Sequence, residues 1–483
     1  MNDFIVVPHF DSHARFYNDL GEMSNNPNSL AGSKPEPDEA AVFSVLQFGA
    51  IVPPLSPWKG VRRFKPGYRY HGIKATEPER LNLTENHPPW NVEEKSHELD
   101  RLLDDDLRNA LNAQPNPVLL FSGGVDSGLL ASRLANLECR NVLLLNYSFQ
   151  EVDPESLLAE AMAKHLGLRF ERISAKRALC DCLEKPGQIY PQPFGDHSTV
   201  PTFELACASV DQLRGKQCLI LDGTGADGGF GMTNKLHAWA RVGRVPAFLR
   251  QWASLIYSVG LWRRKGGVEH LFRVLRRSVD MPLLSAVLAQ NPLAGCLYQD
   301  AASNDVHELL SDWVGGWVGQ SLPHRIVAAD LALTCANTFA QKGQPIFESG
   351  GHKVHYPFLQ NPVVALALSS IGHFAGNEPK AALKRSLARD VPHKMVYRPK
   401  SGFVDPRAMV FFDPAFLTHF RAAADASSPL SGFLKQKALV KACDLLANKA
   451  SLPSQTLNCI WAITFMDRWY RTVPRKSALV PVN

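Results

Sequence analysis

The stretch Pro117-Val-Leu-Leu-Phe-Ser-Gly-Gly-Val-Asp-Ser-Gly-Leu-Leu-Ala131 decides the fold. An apolar run of strand character stops at Ser122, two glycines follow, and Ser127 to Leu137 carries the spacing of a helix. The pattern predicts a strand, a phosphate loop and a helix N-terminus. Adjacent glycines let backbone N–H groups close on an anion without a Cβ in the way. The helix dipole and the Ser122 and Ser127 hydroxyls add to the attraction, and Asp126 is the expected magnesium ligand. The spacing is neither that of the Walker loop nor that of the dinucleotide fingerprint.

Outward from this loop the chain divides into three parts. Residues 1 to about 100 are rich in proline and weakly periodic; Met23 to Ala40 reads as a solvated loop or disordered linker, with Ala41 to Tyr70 more ordered. A helix from about Ser96 leads into the loop, with Leu99, Leu102, Leu103, Leu107 and Leu111 on one face. After it come a buried strand at Asn141–Tyr147, a helix at Glu155–Leu166 and a third strand at Gln217–Asp222. Alternation of this kind predicts an α/β fold with a parallel sheet and ligands at the carboxyl ends of its strands. From about Phe230 onward the pattern is mostly helical.

Composition sets the class. The 483 residues are 45% hydrophobic and 20% charged, which suits a soluble enzyme of two or three domains, and no apolar run is long enough for a membrane span. The amino terminus lacks a basic region followed by an apolar one, so the expected location is cytoplasmic. Nine scattered cysteines match no zinc spacing and are expected to be reduced thiols. A net charge of +6 is too weak to imply nucleic acid.

The loop resembles the pyrophosphate loop of ATP pyrophosphatases, enzymes of the adenine nucleotide α-hydrolase-like fold. A second turn, Leu221-Asp-Gly-Thr-Gly-Ala-Asp-Gly-Gly-Phe-Gly231, narrows this to the synthetase domain of the asparagine synthetase superfamily. Further similarity lies in Asp196-His-Ser-Thr-Val-Pro-Thr202, Tyr356-Pro-Phe-Leu359, the segment Pro379 to Arg385, and Leu387 to Phe403. The resemblance implies that a carboxylate attacks the α-phosphorus of ATP, and that an amine then displaces AMP to leave an amide. It implies that Ser122, Gly123, Gly124, Asp126 and Ser127 hold pyrophosphate and magnesium, that Asp227 is the second metal carboxylate, and that Lys400 neutralises charge on the α-phosphate. Gly223 and Gly225 belong to the same nucleotide turn, Thr224 to the catalytic group, and Asn146 and Tyr147 border the adenosine by position. The implied cofactors are ATP and Mg2+.

Departures from the family pattern bear on the substrate. The parent enzymes use an N-terminal cysteine to hydrolyse glutamine; here position two is Asn2 and no cysteine precedes Cys139. Residues 1–95 are therefore expected to be a truncated, non-catalytic remnant of a glutaminase-like domain with β structure, and residues 96–483 the synthetase domain. The family's Ser-Gly-Glu-Gly-Ala-Asp turn has Thr224 in place of the glutamate, and a threonine is no base near neutrality. Lys353, His355 and Gln360 replace acidic, basic and acidic residues, which argues against a pocket for free aspartate. The expected acid is larger, a peptide or metabolite.

Relatives of this kind include β-lactam synthetases and lasso-peptide cyclases, the second being favoured. The alternatives are an ammonia-using or small-molecule amide synthetase, an inactive nucleotide-binding pseudo-synthetase and an RNA-modifying ATP pyrophosphatase. The segment from Lys235 to Asp280, with Arg241, Arg244, Arg250, Arg263, Arg264, Lys265, Arg273, Arg276 and Arg277, reads as a basic surface that could dock a leader peptide, a carrier protein or RNA.

Overall fold

The computed structural model describes residues 4–71, 79–83, 91–148, 154–174, 180–232, 236, 239, 241–246, 248–252, 274–279, 281–290, 303–318, 321–369, 371, 378–398, 410–450 and 452–474. The N-terminal part contributes two small antiparallel sheets. One orders β1 (Ile5–Val7), β5 (Tyr68–Tyr70) and β6 (Glu79–Arg80); the other orders β3 (Met23–Ser24), β2 (Phe16–Asn18) and β4 (Val61–Arg63). They and the helix Glu39–Phe48 share one buried cluster with the C-terminal helices, to which Phe16, Phe43 and Val45 belong along with Trp313 and Trp461.

The expected linker at Met23–Ala40 is ordered. Asn26 accepts from Asn28 N–H to cap a short helix, Pro27–Leu30, whose Pro27 and Leu30 are buried. Asn28 in turn accepts from the Trp58 indole at 2.6 Å. Polar composition hid a cap and two anchors.

The central sheet has five parallel strands in the order β11 (Lys353–His355), β10 (Leu219–Leu221), β7 (Pro117–Leu120), β8 (Leu143–Ser148), β9 (Arg169–Ser174). Apolar residues alternate between two cores: Val118, Leu145 and Ile220 fall in one, Leu119, Leu144 and Leu221 in the other. Both faces are thus covered, as parallel sheets require. From β7 the chain runs outward through β8 to β9, then returns to the other side of β7 to lay down β10. At that reversal the connections leaving β7 and β10 diverge, and the carboxyl ends of the two strands mark the crevice where open sheets of this kind bind ligands.

The long helix Val92–Ala113 starts at a capping box of Asn91 and Glu94, somewhat before the expected Ser96. The region after Phe230 is mostly helical, as expected, apart from β11. One part of it, Asp330–Ala340, is an eleven-residue π-helix that continues into the helix Gln341–Ser349. Such windings gather at functional places. Much of the basic segment, including Arg263, Arg264, Lys265 and Arg273, lies outside the described residues. Arg277 departs from the expected solvated face: it is buried, and its guanidinium donates to the carbonyls of Ala286 and Ala289. It serves the last turn of the helix Leu283–Leu288.

Gly123 shows how tightly the crevice is built. Its φ is +68°, and a Cβ there would come within 2.7 Å of the Ala159 Cα. Gly123→Ala should cost at least about 1–3 kcal/mol for the left-handed backbone alone. Thermal melts should show a lowered Tm; a variant as stable as wild type would refute this packing.

Candidate functional site

The loop after β7 is braced from inside. Ser127 Oγ accepts from Ser122 N–H at 3.2 Å and lies 3.2 Å from Ser122 Oγ, while Gly124 N–H donates to Ser122 Oγ at 3.3 Å. The helix Val125–Asn136 begins at Gly124 with no side-chain cap. The first-turn N–H groups of such a helix form an anion site. Arg398 holds the loop from behind, donating to the Gly123 carbonyl at 3.1 Å and to Glu155 at 2.7 Å.

The turn after β10 closes against this loop. A Cβ on Gly223 would lie 3.3 Å from Asp126 Cβ, so glycine permits the approach. Gly225 has φ +106° and would collide with Leu359, which is how the Tyr356–Leu359 segment seats the turn. Thr224 donates both its N–H and its hydroxyl to Asp222 Oδ1, each at 2.7 Å. Burial pushes the Asp222 carboxyl up, and these hydrogen bonds pull it partly back. Asp227 stands in the first turn of the helix Ala226–Phe230, its side chain largely exposed.

Asp126 and Asp227, one from each strand end, both reach the Lys380 ammonium. Lys380 Nζ lies 2.6 Å from both Asp126 carboxylate oxygens and 2.7 Å from Asp227 Oδ1. Burial alone would lower the lysine, but the two carboxylates outweigh it and raise it above its ordinary value. An ammonium seated between two carboxylates tests the site with a positive charge, and the donors fit a hard ion that takes oxygen ligands and leaves positions for phosphate and water. Among the described residues no group of three or more His, Cys, Asp or Glu is placed to hold a metal. The similarity of the segment Pro379 to Arg385 assigns this lysine no role; its signal in the sequence is a lysine placed at a helix start.

Polar contacts support the arrangement beneath. Lys342, in the helix that continues the π-helix, is buried and donates to Asp196 Oδ2 and Ser198 Oγ, both at 2.5 Å. Burial would raise the Asp196 carboxyl, yet the Lys342 ammonium, His197 and the Ser198 N–H hold it at about 2. The same ammonium acts on Asp222. On the other side, Ser386 and Arg389 donate to Asp100 and tie the helix Ala381–Leu387 to the long helix, while Arg133 donates to Asp104 at 2.6 Å and ties the helix Val125–Asn136 to it.

The other expected site residues divide. Ser122, Gly123, Gly124, Asp126, Ser127, Gly223, Thr224, Gly225 and Asp227 gather in the crevice. Asn146 is 4% exposed, and its amide is engaged by protein, donating to the Phe121 carbonyl at 2.8 Å and accepting from Ser156 Oγ at 2.6 Å. It ties β7, β8 and the next helix together. Tyr147 is half-buried. Lys400 lies outside the described residues. His355 Nε2 sits 2.7 Å from Asp106 Oδ2 on the long helix, Gln360 donates to the Tyr356 carbonyl at 3.1 Å, and Lys353 is exposed at the start of β11.

Comparison with the curated proteins returned no match. The family model described as Asparagine synthase matches residues 98–471, more than three quarters of the chain, and includes both turns, Lys380 and the helices beneath them. The chain belongs to the asparagine synthase family, whose domain is that of an ATP-dependent synthetase forming amide bonds.

Proposed function

We propose that this chain adenylates a carboxylic acid with ATP, releasing pyrophosphate, and passes the acyl group to an amine with release of AMP. The acid belongs to a peptide or larger metabolite, and closure of a lasso-type macrolactam is the favoured case. The observation that carries the reading is the cation held by Asp126 and Asp227 beside an uncapped helix N-terminus at the sheet's topological reversal. The strand order supports an ATP-pyrophosphatase-type domain. Residues 1–95 are read as the remnant of a glutaminase-like domain; they contain no cysteine, so ammonia or a substrate amine is the acceptor. The reaction is assigned to the cytoplasm.

In this reading Ser122, Gly123, Gly124 and Ser127 bind the departing pyrophosphate. Gly223 and Gly225 let the second turn approach it, and Tyr147 borders the adenosine, with Asn146 holding that strand end in place. Asp126 and Asp227 would hold magnesium, which when bound neutralises charge on the phosphates. Lys400 adds a second positive charge at the α-phosphate, the type of fixed electrostatic contribution on which phosphoryl sites depend. Asp222 is the base for the attacking amine, with the Thr224 hydroxyl relaying the proton to it along their hydrogen bond, and the acyl carbon releases AMP with the electron pair of its C–O bond.

The substrate reading rests on what surrounds the crevice. Free aspartate needs a charged partner for each of its α groups, because an unpaired buried charge costs several kcal/mol. His355 is engaged by Asp106 and Gln360 by backbone, so these positions supply no such pair. Remote contacts of a larger acid would then provide the binding energy. Pyrophosphate exchange should be silent with free aspartate even at roughly tens of millimolar, and should appear with peptides bearing one aspartate or glutamate side chain. Saturable exchange with aspartate alone would return the chain to asparagine synthesis.

The proton path gives a second expectation. Thr224→Val should reduce amide formation by about 10²-fold or more while retaining most of the pyrophosphate exchange, and Thr224→Ser should restore the amide. Equal losses in both half-reactions would make the Thr224–Asp222 contact a structural brace only.

A further inference from the structure

Lys380 is built into its position twice over. Its backbone adopts φ +60° and ψ +30°, a left-handed conformation that a side chain bearing a Cβ rarely takes, just before the helix Ala381–Leu387. Its N–H donates at 3.0 Å to the carbonyl of Phe230, the last residue of the helix that carries Asp227. The residue is 8% exposed. A flexible side chain on the surface would form such a pair by chance. Here the backbone is bent and anchored so that the ammonium reaches both carboxylates.

The place the ammonium occupies is the one a metal ion would need. Magnesium binds carboxylate oxygens at about 2.0–2.1 Å, and an ammonium in contact with both Asp126 and Asp227 leaves no room for it between them. Two cations side by side would also repel. A free divalent ion would therefore displace Lys380 from Asp126 and Asp227, the anions it pairs with among the described residues. A triphosphate brings a further anion with the metal.

We propose that Lys380 is a resident counter-ion that excludes free divalent cations from the Asp126–Asp227 pair, so that metal enters only together with the nucleotide. This rests on the reading of Asp126 and Asp227 as metal ligands. It makes Lys380 a positioning residue whose effect is an order of binding.

The test uses Mn2+ as the probe, with binding followed by electron paramagnetic resonance on the full chain without nucleotide. Lys380→Gly suits the left-handed backbone and removes the charge; Lys380→Met removes the charge and keeps the bulk. Both should bind Mn2+ about tenfold or more tightly than wild type, a change of about 1.4 kcal/mol, and Asp126→Asn added to either should abolish the gain. With a non-hydrolysable ATP analogue present, wild type should bind Mn2+ well. Unchanged Mn2+ affinity in both lysine variants, with Asp126→Asn still weakening the Mn2+–nucleotide complex, would overturn the counter-ion and leave the metal reading intact. Asp126→Asn and Asp227→Asn that change neither form of Mn2+ binding would overturn the metal reading and the counter-ion with it.

Discussion

Two carboxylates brought against each other are the constraint on which this structure turns. Parallel pairing of β10 with β7 sets Leu221 opposite Leu119, so the turns that follow emerge side by side. Asp126 and Asp227 then share one ammonium's reach. Two like charges held this close repel each other. A fold can keep such a pair only by supplying positive charge, from its own chain or from a ligand. Lys380 supplies it here, and much of the surrounding structure serves to hold that lysine and those two turns.

The support is layered. Gly123 and Gly225 take backbone conformations that bring the turns close, at the cost of steric freedom elsewhere. Arg398 grips the phosphate loop by its carbonyl, and Asn146 locks the strand ends behind it. Beneath the second turn, Lys342 and Asp196 form a buried ion pair. Such pairs contribute little net stability when intact, yet cost about 3–5 kcal/mol when one partner is removed. Its value here is positional, since the same ammonium faces Asp222, the partner of Thr224. The π-helix before Lys342 shifts the register by which this side chain enters the core.

Sequence made the local features legible and left the distant ones hidden. The Ser122–Ser127 loop and the Asp222–Gly231 turn are written in contiguous residues, because glycines and short polar side chains are demanded by turn geometry, and both lie where they were expected. The strands β9 and β11 were missed: one reads Arg169-Phe-Glu-Arg-Ile-Ser174 and the other has three residues, too polar or too short for periodicity to register. Arg277 reads as part of a charged face, yet folds inward to serve carbonyls that only the tertiary structure brings near. Asn146 follows a strand as a ligand-facing residue would, and its amide is spent on its neighbours. Lys380 lies 254 residues from Asp126. No local pattern reveals that pairing.

The central claim is that a carboxylate oxygen attacks the α-phosphorus of ATP in this crevice. It is tested most directly by supplying an acid peptide whose side-chain carboxylate is labelled with 18O, and following the nucleotide product by mass spectrometry. Attack at the α-phosphorus followed by amide formation leaves one labelled oxygen in AMP, with pyrophosphate as the other product. ADP and phosphate, or AMP without the label, would contradict the account.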